Sequence, residues 1–185
     1  MFRFRLRHPR LFIAAFAILA AAAVIVFLLT GGGDSRPDYP YSVAVFEDQG
    51  REHLPPGQTY DLYNSNPPTS GPHGPAVDWG VHEETVPKEV PVHNMEHGGV
   101  VIWYDCSAGV PLGDAQCREL RDQLAAVVES ALADGKLVLM VPYAGLEHRI
   151  ALTAWRTLDT LNQSDEGRVQ AFIDAYDRKF NPEGF

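Results

Sequence analysis

An unbroken apolar run near the N-terminus is the feature that most constrains this chain. Residues 11–29 are nineteen consecutive Leu, Ile, Val, Phe and Ala residues, without a charge or a proline. As an α-helix, such a run nearly crosses a hydrocarbon core about 30 Å thick. Four arginines precede it and the next Lys or Arg is Arg36, so the positive-inside rule places the N-terminus in the cytoplasm. We therefore expect a cytoplasmic basic tail at residues 1–10 and a single-pass transmembrane signal anchor at residues 11–29 of the cell membrane.

A cleaved signal peptide is the alternative for this segment. The alanines at 20–23 offer an A-x-A cleavage site. However, the apolar run continues to Leu29, whereas signal-peptide cores usually span about 7–15 residues. The length therefore favours an uncleaved anchor, with the rest of the chain in the periplasm or on the cell surface.

Composition after the anchor indicates a tethered acidic domain. Residues 30–41 are rich in Gly, Pro and polar side chains, which predicts a linker. Residues 42–185 then remain for one extracytoplasmic domain with its own core. All 24 acidic residues but only 11 of the 15 lysines and arginines follow the apolar run. This balance argues against a nucleic-acid partner.

The proline distribution divides that domain into two unlike halves. Ten of the 14 prolines lie between Pro37 and Pro91, which excludes long helices there. The second half is regular, and its patterns predict strands at 100–104, 137–141 and 150–155, a helix at 114–133 and a last helix after Ser164. A short link at 143–149 suggests a hairpin. We predict an α+β fold: a mixed sheet with two helices packed on it, preceded by the Pro-rich half.

The two cysteines lie at the start of the regular half. Cys106 follows the first predicted strand, and Cys117 falls in the first turn of the first predicted helix. Outside the cytoplasm such a pair usually forms a disulfide. The C-x-x-C spacing of reactive thiols is absent, so a structural bridge is favoured over a redox or metal-binding pair.

A histidine motif supplies the candidate functional site. His93 and His97 are four positions apart, on a segment bracketed by Pro91 and a Gly pair, so that any helix there is about one turn and both rings face the same way. Two imidazoles suit Zn²⁺ or a copper ion. The third ligand that such a site needs is assigned to His73, in a Pro- and Gly-rich loop.

Reserve ligands and a competing motif accompany these three histidines. Glu96, Met95 and His82 are the reserves, and Met95 would matter for Cu⁺ because a thioether is a soft ligand. His53 and His148 are interpreted as surface or structural histidines. Residues 93–97 also match the H-x-x-E-H pattern of a zinc-protease group, but the flanking Pro and Gly leave little room for the long helix that this chemistry uses.

The chain also resembles a known family through several segments. They are YN at 63–64, NPPTSGPH at 66–73, VHNMEHGGV at 92–100, ALTAW at 151–155, FIDAY at 172–176 and PE at 182–183. Together they are similar to the uncharacterised bacterial family called domain of unknown function 3105, over roughly residues 41–183. The resemblance implies a bacterial protein, often with an N-terminal membrane segment, and no established activity. Met95 stands where the family pattern commonly has Leu.

Three functions follow from these observations. The first is a membrane-anchored extracytoplasmic domain that binds Zn or Cu through His73, His93 and His97. The second is an interaction module for another envelope protein, with structural histidines. The third is a metal-dependent hydrolase, and enzymatic activity is the less favoured interpretation.

Overall fold

A computed structural model of the protein describes residues 38–181. The expected basic tail, the anchor at 11–29 and most of the linker at 30–41 lie outside this range. Within it, no helix combines the length and the apolarity needed to cross a bilayer.

One mixed sheet organises the described residues. Its six strands are β1 (Ala44–Val45), β2 (Gly80–Val81), β3 (Val100–Tyr104), β4 (Val138–Pro142), β5 (Ile150–Ala154) and β6 (Thr157–Leu161). They lie side by side in the order β1-β6-β5-β3-β4-β2. β3 pairs in parallel with β4, and β4 in parallel with β2, whereas β5 is antiparallel to β3 and β6, and β1 is antiparallel to β6. The predicted α+β fold with a mixed sheet is therefore confirmed.

The number of helices was underestimated, because the described residues form three rather than two: α1 (Glu89–Glu96), α2 (Asp114–Ala133) and α3 (Glu166–Tyr176). We expected only about one turn around the histidine motif because Pro91 seemed too close. In fact Pro91 is the third residue of the eight-residue α1. A proline is tolerated there because the N–H groups of the first turn have no partner within the helix.

The prediction of a hairpin at 143–149 is wrong. α2 connects the parallel neighbours β3 and β4, and the chain then returns so that β5 pairs with the opposite edge of β3. The hairpin lies one step later, between β5 and β6, where Arg156 takes a left-handed φ of 64° in the turn. β3 is thus the central strand, with all five of its residues buried.

Alternating side chains of β3 enter two different apolar cores. Val100, Ile102 and Tyr104 pack with the inner faces of α2 and α3. Val101 and Trp103 face the other side, where α1 and the Pro-rich half cover the sheet. The domain therefore has three layers: α2 and α3, the sheet, and α1 with the Pro-rich half. The histidine motif lies in the third layer, where the sequence shows the least regular periodicity.

The ends of α2 and α3 match simple capping rules. The backbone N–H of Gly113 donates to Gln116 Oε1 at the start of α2, and Gly135 takes a positive φ of 75° just past its end. Asp165 caps α3 by accepting from the Arg168 N–H. The predicted bridge is present: Cys106 and Cys117 form a disulfide that ties the end of β3 to α2.

Candidate metal centre

Helix α1 positions the histidine motif through its two faces. Val92 and Met95 are fully buried in the core beneath the sheet. His93 and Glu96 are three positions apart, so they project together from another face of the helix. His97 follows as the C-cap residue.

The Pro-rich loop brings His73 to the same place. His73 forms an isolated parallel bridge with His53, in which the His73 N–H donates to the Glu52 carbonyl at 2.9 Å and the Leu54 N–H donates to the His73 carbonyl at 2.8 Å. This backbone pairing gives an otherwise irregular segment a fixed register, and it places the His53 ring beside the His73 ring.

Gly71, two residues before His73, packs closely against neighbouring side chains. Its φ is +121°, and an added Cβ would lie 3.1 Å from the Tyr63 ring and 3.3 Å from the Gln49 Cβ. The Tyr63 hydroxyl donates to the Pro72 carbonyl. Residues on both sides of the loop therefore hold His73 in its buried position.

Four side chains converge in the resulting cluster. His53, His73, His93 and Glu96 each offer one ligand atom, and these atoms all lie within 4.8 Å of one another. The ring centroids of His53, His73 and His93 are 4.7–4.9 Å apart in every pairing. We call these four residues the His/Glu cluster.

Two glycine carbonyls orient the imidazoles. His73 Nδ1 lies 2.8 Å from the Gly71 carbonyl oxygen, and His93 Nδ1 lies 2.8 Å from the Gly74 carbonyl oxygen. A carbonyl only accepts, so each Nδ1 carries a proton, and in the neutral form of the ring each Nε2 has the lone pair that can bind a metal. Metal-binding histidines are commonly held in this way, with the second nitrogen donating to a carbonyl or carboxylate.

His73 and Glu96 form the buried centre of the cluster. His73 Nε2 is 3.0 Å from Glu96 Oε2, and the two side chains are 0% and 2% exposed. Among the described residues, neither atom has a hydrogen-bond partner, so the two atoms lie close together without the geometry of a hydrogen bond. Burial lowers the pKa of His73 and outweighs the opposing effect of Glu96, which favours the neutral imidazole that a metal requires.

Only some of the predicted ligands belong to the His/Glu cluster. His73, His93 and the reserve ligand Glu96 belong to the cluster. His97 is outside it, although its Nε2 lies 3.0 Å from His93 Nε2 and the two rings stack. Met95 is buried in the apolar core. His53, which we interpreted as a surface or structural histidine, belongs to the cluster.

Asn94 and Gly99 hold α1 against the neighbouring segment. The Asn94 side chain accepts from the Val77 N–H at 3.2 Å and donates to the Val77 carbonyl at 2.9 Å, as a second strand would. The Trp79 indole packs closely against Gly99, where an added Cβ would be 2.3 Å from the ring. This close contact explains why a glycine follows the motif.

Comparisons with known proteins place the chain in a family. The fold and the cluster define an α+β domain with a buried histidine–carboxylate centre. A family model described as "Protein of unknown function (DUF3105)" matches residues 54–184, and the chain belongs to that family. His73, His93 and Glu96 lie inside the match, and His53 lies one position before it. Neither the curated proteins nor the solved structures that were compared gave a match.

Proposed function

We propose that this protein is a membrane-anchored extracytoplasmic domain that binds one divalent transition-metal ion in the His/Glu cluster. His73, His93 and Glu96 are the inner ligands, and His53 is the outer ligand at the surface. The observation that carries the proposal is the pair of buried atoms His73 Nε2 and Glu96 Oε2, 3.0 Å apart without a hydrogen bond.

The spacing of these atoms supports a shared ion. Two ligand atoms that are each 2.0–2.1 Å from one ion are separated by about 2.9 Å at a right angle and about 3.4 Å at a tetrahedral angle. The 3.0 Å between His73 and Glu96 falls in this range. The ligand atoms of the cluster are up to 4.8 Å apart, and His53 Nε2 is 4.0 Å from Glu96 Oε2. These separations are larger than a tetrahedral ion allows, so side chains of the cluster have to move slightly inward on binding.

The ligand types favour Zn²⁺, with Cu²⁺ as its competitor. Imidazole and carboxylate together suit both ions. The case for Cu⁺ depended on the Met95 thioether, which lies in the apolar core instead. No thiolate competes, because both cysteines are joined in the disulfide.

Two features support a location outside the cytoplasm. The apolar segment at 11–29 has the length and the flanking arginines of a signal anchor. The disulfide between Cys106 and Cys117 is a bond that persists in oxidising compartments and is rare in the cytosol.

Elemental analysis of the full chain tests metal binding. The protein is purified from the cell envelope without a metal-binding tag, and its Zn and Cu contents are measured. We expect about one equivalent in the wild type and a large loss in Glu96→Gln, which keeps the size of the side chain but removes its charge.

His148→Ala is the matched control, because His148 is a partly exposed histidine outside the cluster that hydrogen-bonds only to Asn162 among the described residues. It should retain the full metal content. A wild-type protein that takes up no Zn²⁺ or Cu²⁺ when dialysed against either ion contradicts the proposal.

A further inference from the structure

The His/Glu cluster reaches solvent on the side where Arg51 and His53 lie. His73 and Glu96 are buried at 0% and 2% exposure, whereas the side chains of His53 and Arg51 are 57% and 47% exposed. An ion held by the inner ligands would therefore be reached from the side where Arg51 and His53 lie.

Arg51 is placed at this opening with most of its donors unused. Its Nε lies 3.9 Å from Glu96 Oε1, and among the described residues its side chain makes no hydrogen bond. A guanidinium carries five N–H donors in a planar fork that matches the paired oxygens of a carboxylate or phosphate. The fork is thus available to a second partner beside the cluster.

The charge balance calls for that partner to be an anion. A divalent ion bound by three neutral imidazoles and one carboxylate keeps one positive charge, and the Arg51 guanidinium adds another. Both charges face the same opening, and within residues 38–181 Glu96 is the one acidic side chain at ion-pair distance from Arg51. A small oxyanion satisfies both charges at once, with one oxygen on the ion and another on the guanidinium.

The coordination chemistry leaves room for such a ligand. Among the described residues, hydrogen bonds to glycine carbonyls fix His73 and His93, while no hydrogen bond fixes the exposed ring of His53. Buried inner ligands with a changeable outer position resemble the zinc sites that accept an exogenous ligand, and zinc sometimes expands to five ligands.

We propose that the opening beside Arg51 and His53 is a binding site for a small oxyanion, the carboxylate or phosphate group of a ligand, held jointly by the metal and Arg51. This inference rests on the proposed metal site and adds the ligand class. It makes Arg51 a ligand-binding residue that does not bind the metal itself.

The experiment uses the full chain loaded with Co²⁺, whose visible spectrum reports changes in its ligands. Cobalt uptake is measured first, because its failure would count against the metal site itself. Inorganic phosphate and acetate are then added in separate titrations. We expect a saturable spectral change with at least one anion, and the tighter of the two identifies the preferred group.

Variants separate the role of Arg51 from general charge. Arg51→Gln should weaken anion binding by at least about tenfold, since a charged hydrogen bond contributes about 1.5–3 kcal/mol, while cobalt uptake stays at one equivalent. Arg51→Lys should restore part of the affinity, and Arg118→Gln, at an exposed position on α2, should bind as the wild type does. Two results would overturn the inference. One is a cobalt-loaded protein whose spectrum changes with neither anion, and the other is an Arg51→Gln variant with wild-type anion affinity.

Discussion

His73 Nε2 lies 3.0 Å from Glu96 Oε2, with both atoms buried and without a hydrogen bond between them. Burying a polar atom without a partner costs about 1–3 kcal/mol. Two such atoms side by side make the centre of the cluster unfavourable unless a common partner satisfies both of them. This relationship gives the first prediction.

Glu96→Gln should lower the affinity for Zn²⁺ by at least about 100-fold. This is more than the roughly 10–100-fold effect typical of residues that only hydrogen-bond to metal ligands. The amide keeps the volume of the buried side chain but brings no negative charge to the ion. Competition with a coloured zinc chelator measures the affinity. Glu147→Gln changes an exposed carboxylate that belongs to no metal cluster and should have no effect; equal affinities in both variants would exclude Glu96 as a ligand.

His53→Ala should weaken zinc binding by at least about tenfold, and by more than His97→Ala does. His53 belongs to the cluster and His97 does not. Since the His53 side chain is 57% exposed, its truncation should leave the thermal unfolding temperature nearly unchanged. The same chelator competition ranks the two variants. A larger loss of zinc affinity in His97→Ala than in His53→Ala would instead support the ligand set expected from the sequence, in which His97 binds the metal.

Gly99→Ala should destabilise the domain by about 1–3 kcal/mol, the usual cost of overpacking. The new Cβ would meet the Trp79 indole at 2.3 Å and the Asn94 carbonyl oxygen at 2.9 Å. Urea unfolding followed by tryptophan fluorescence measures the change. Gly167→Ala is the control, because it lies in α3 where the nearest atom would be 3.6 Å away, and alanine there should be neutral or stabilising. Equal stabilities would show that Trp79 does not rest on Gly99.

Replacing both Cys106 and Cys117 by Ser should lower the free energy of unfolding by about 3 kcal/mol, as expected for a short closed loop. Zinc affinity should remain that of the wild type, because Cys106 packs on the α2/α3 face of the sheet and Met95 anchors α1 on the opposite face. Chemical unfolding and chelator competition test the two halves of this prediction. A coupled loss of metal affinity would show that the two faces are not independent.

Asp105 should make the domain sensitive to acid. Burial raises the pKa of Asp105, but hydrogen bonds from Ser107, Gly145 and Leu146 outweigh burial and hold the pKa below its ordinary value of 3.8. The carboxylate therefore stabilises the fold fully above the unfolded pKa, and this contribution is lost as the pH falls through the lower folded pKa.

Asp105→Asn should accordingly cost about 1–3 kcal/mol at pH 7, and less as the pH falls below about 4. Unfolding free energies measured from pH 7 to pH 2 give the difference. Asp122→Asn, at an exposed position on α2, should run parallel to the wild type. A cost for Asp105→Asn that is the same at every pH would contradict the assigned hydrogen bonds.

Regular periodicity explains which parts of the fold could be predicted. The apolar run of β3 and the three-and-four spacing of α2 gave both elements with the bounds that the structure has. The pairing of β5 was missed because the α2 crossover leaves the other edge of β3 open to it, a non-local choice that a short link does not reveal. β2 has only two residues, too few for a periodic signal.

The candidate site was predicted in part for similar reasons. Helical spacing led us to join His93 to His97, whose rings stack, and left Glu96 as a reserve although it lies three positions from His93 on α1. The same rule would have excluded Met95, since residues two apart point in different directions. His53 reaches the cluster through backbone pairing with His73. No side-chain pattern encodes that pairing, so His53 had no sequence signal beyond being a histidine.

The most direct measurement of the central claim is anomalous X-ray diffraction at the zinc edge from crystals of the zinc-loaded protein. The proposal predicts one strong peak about 2.0–2.1 Å from His73 Nε2 and from a Glu96 oxygen, with a nitrogen of His93 completing the inner ligands. A zinc-loaded crystal with no peak at the cluster, and with His73 joined to Glu96 by an ordinary hydrogen bond, would contradict it.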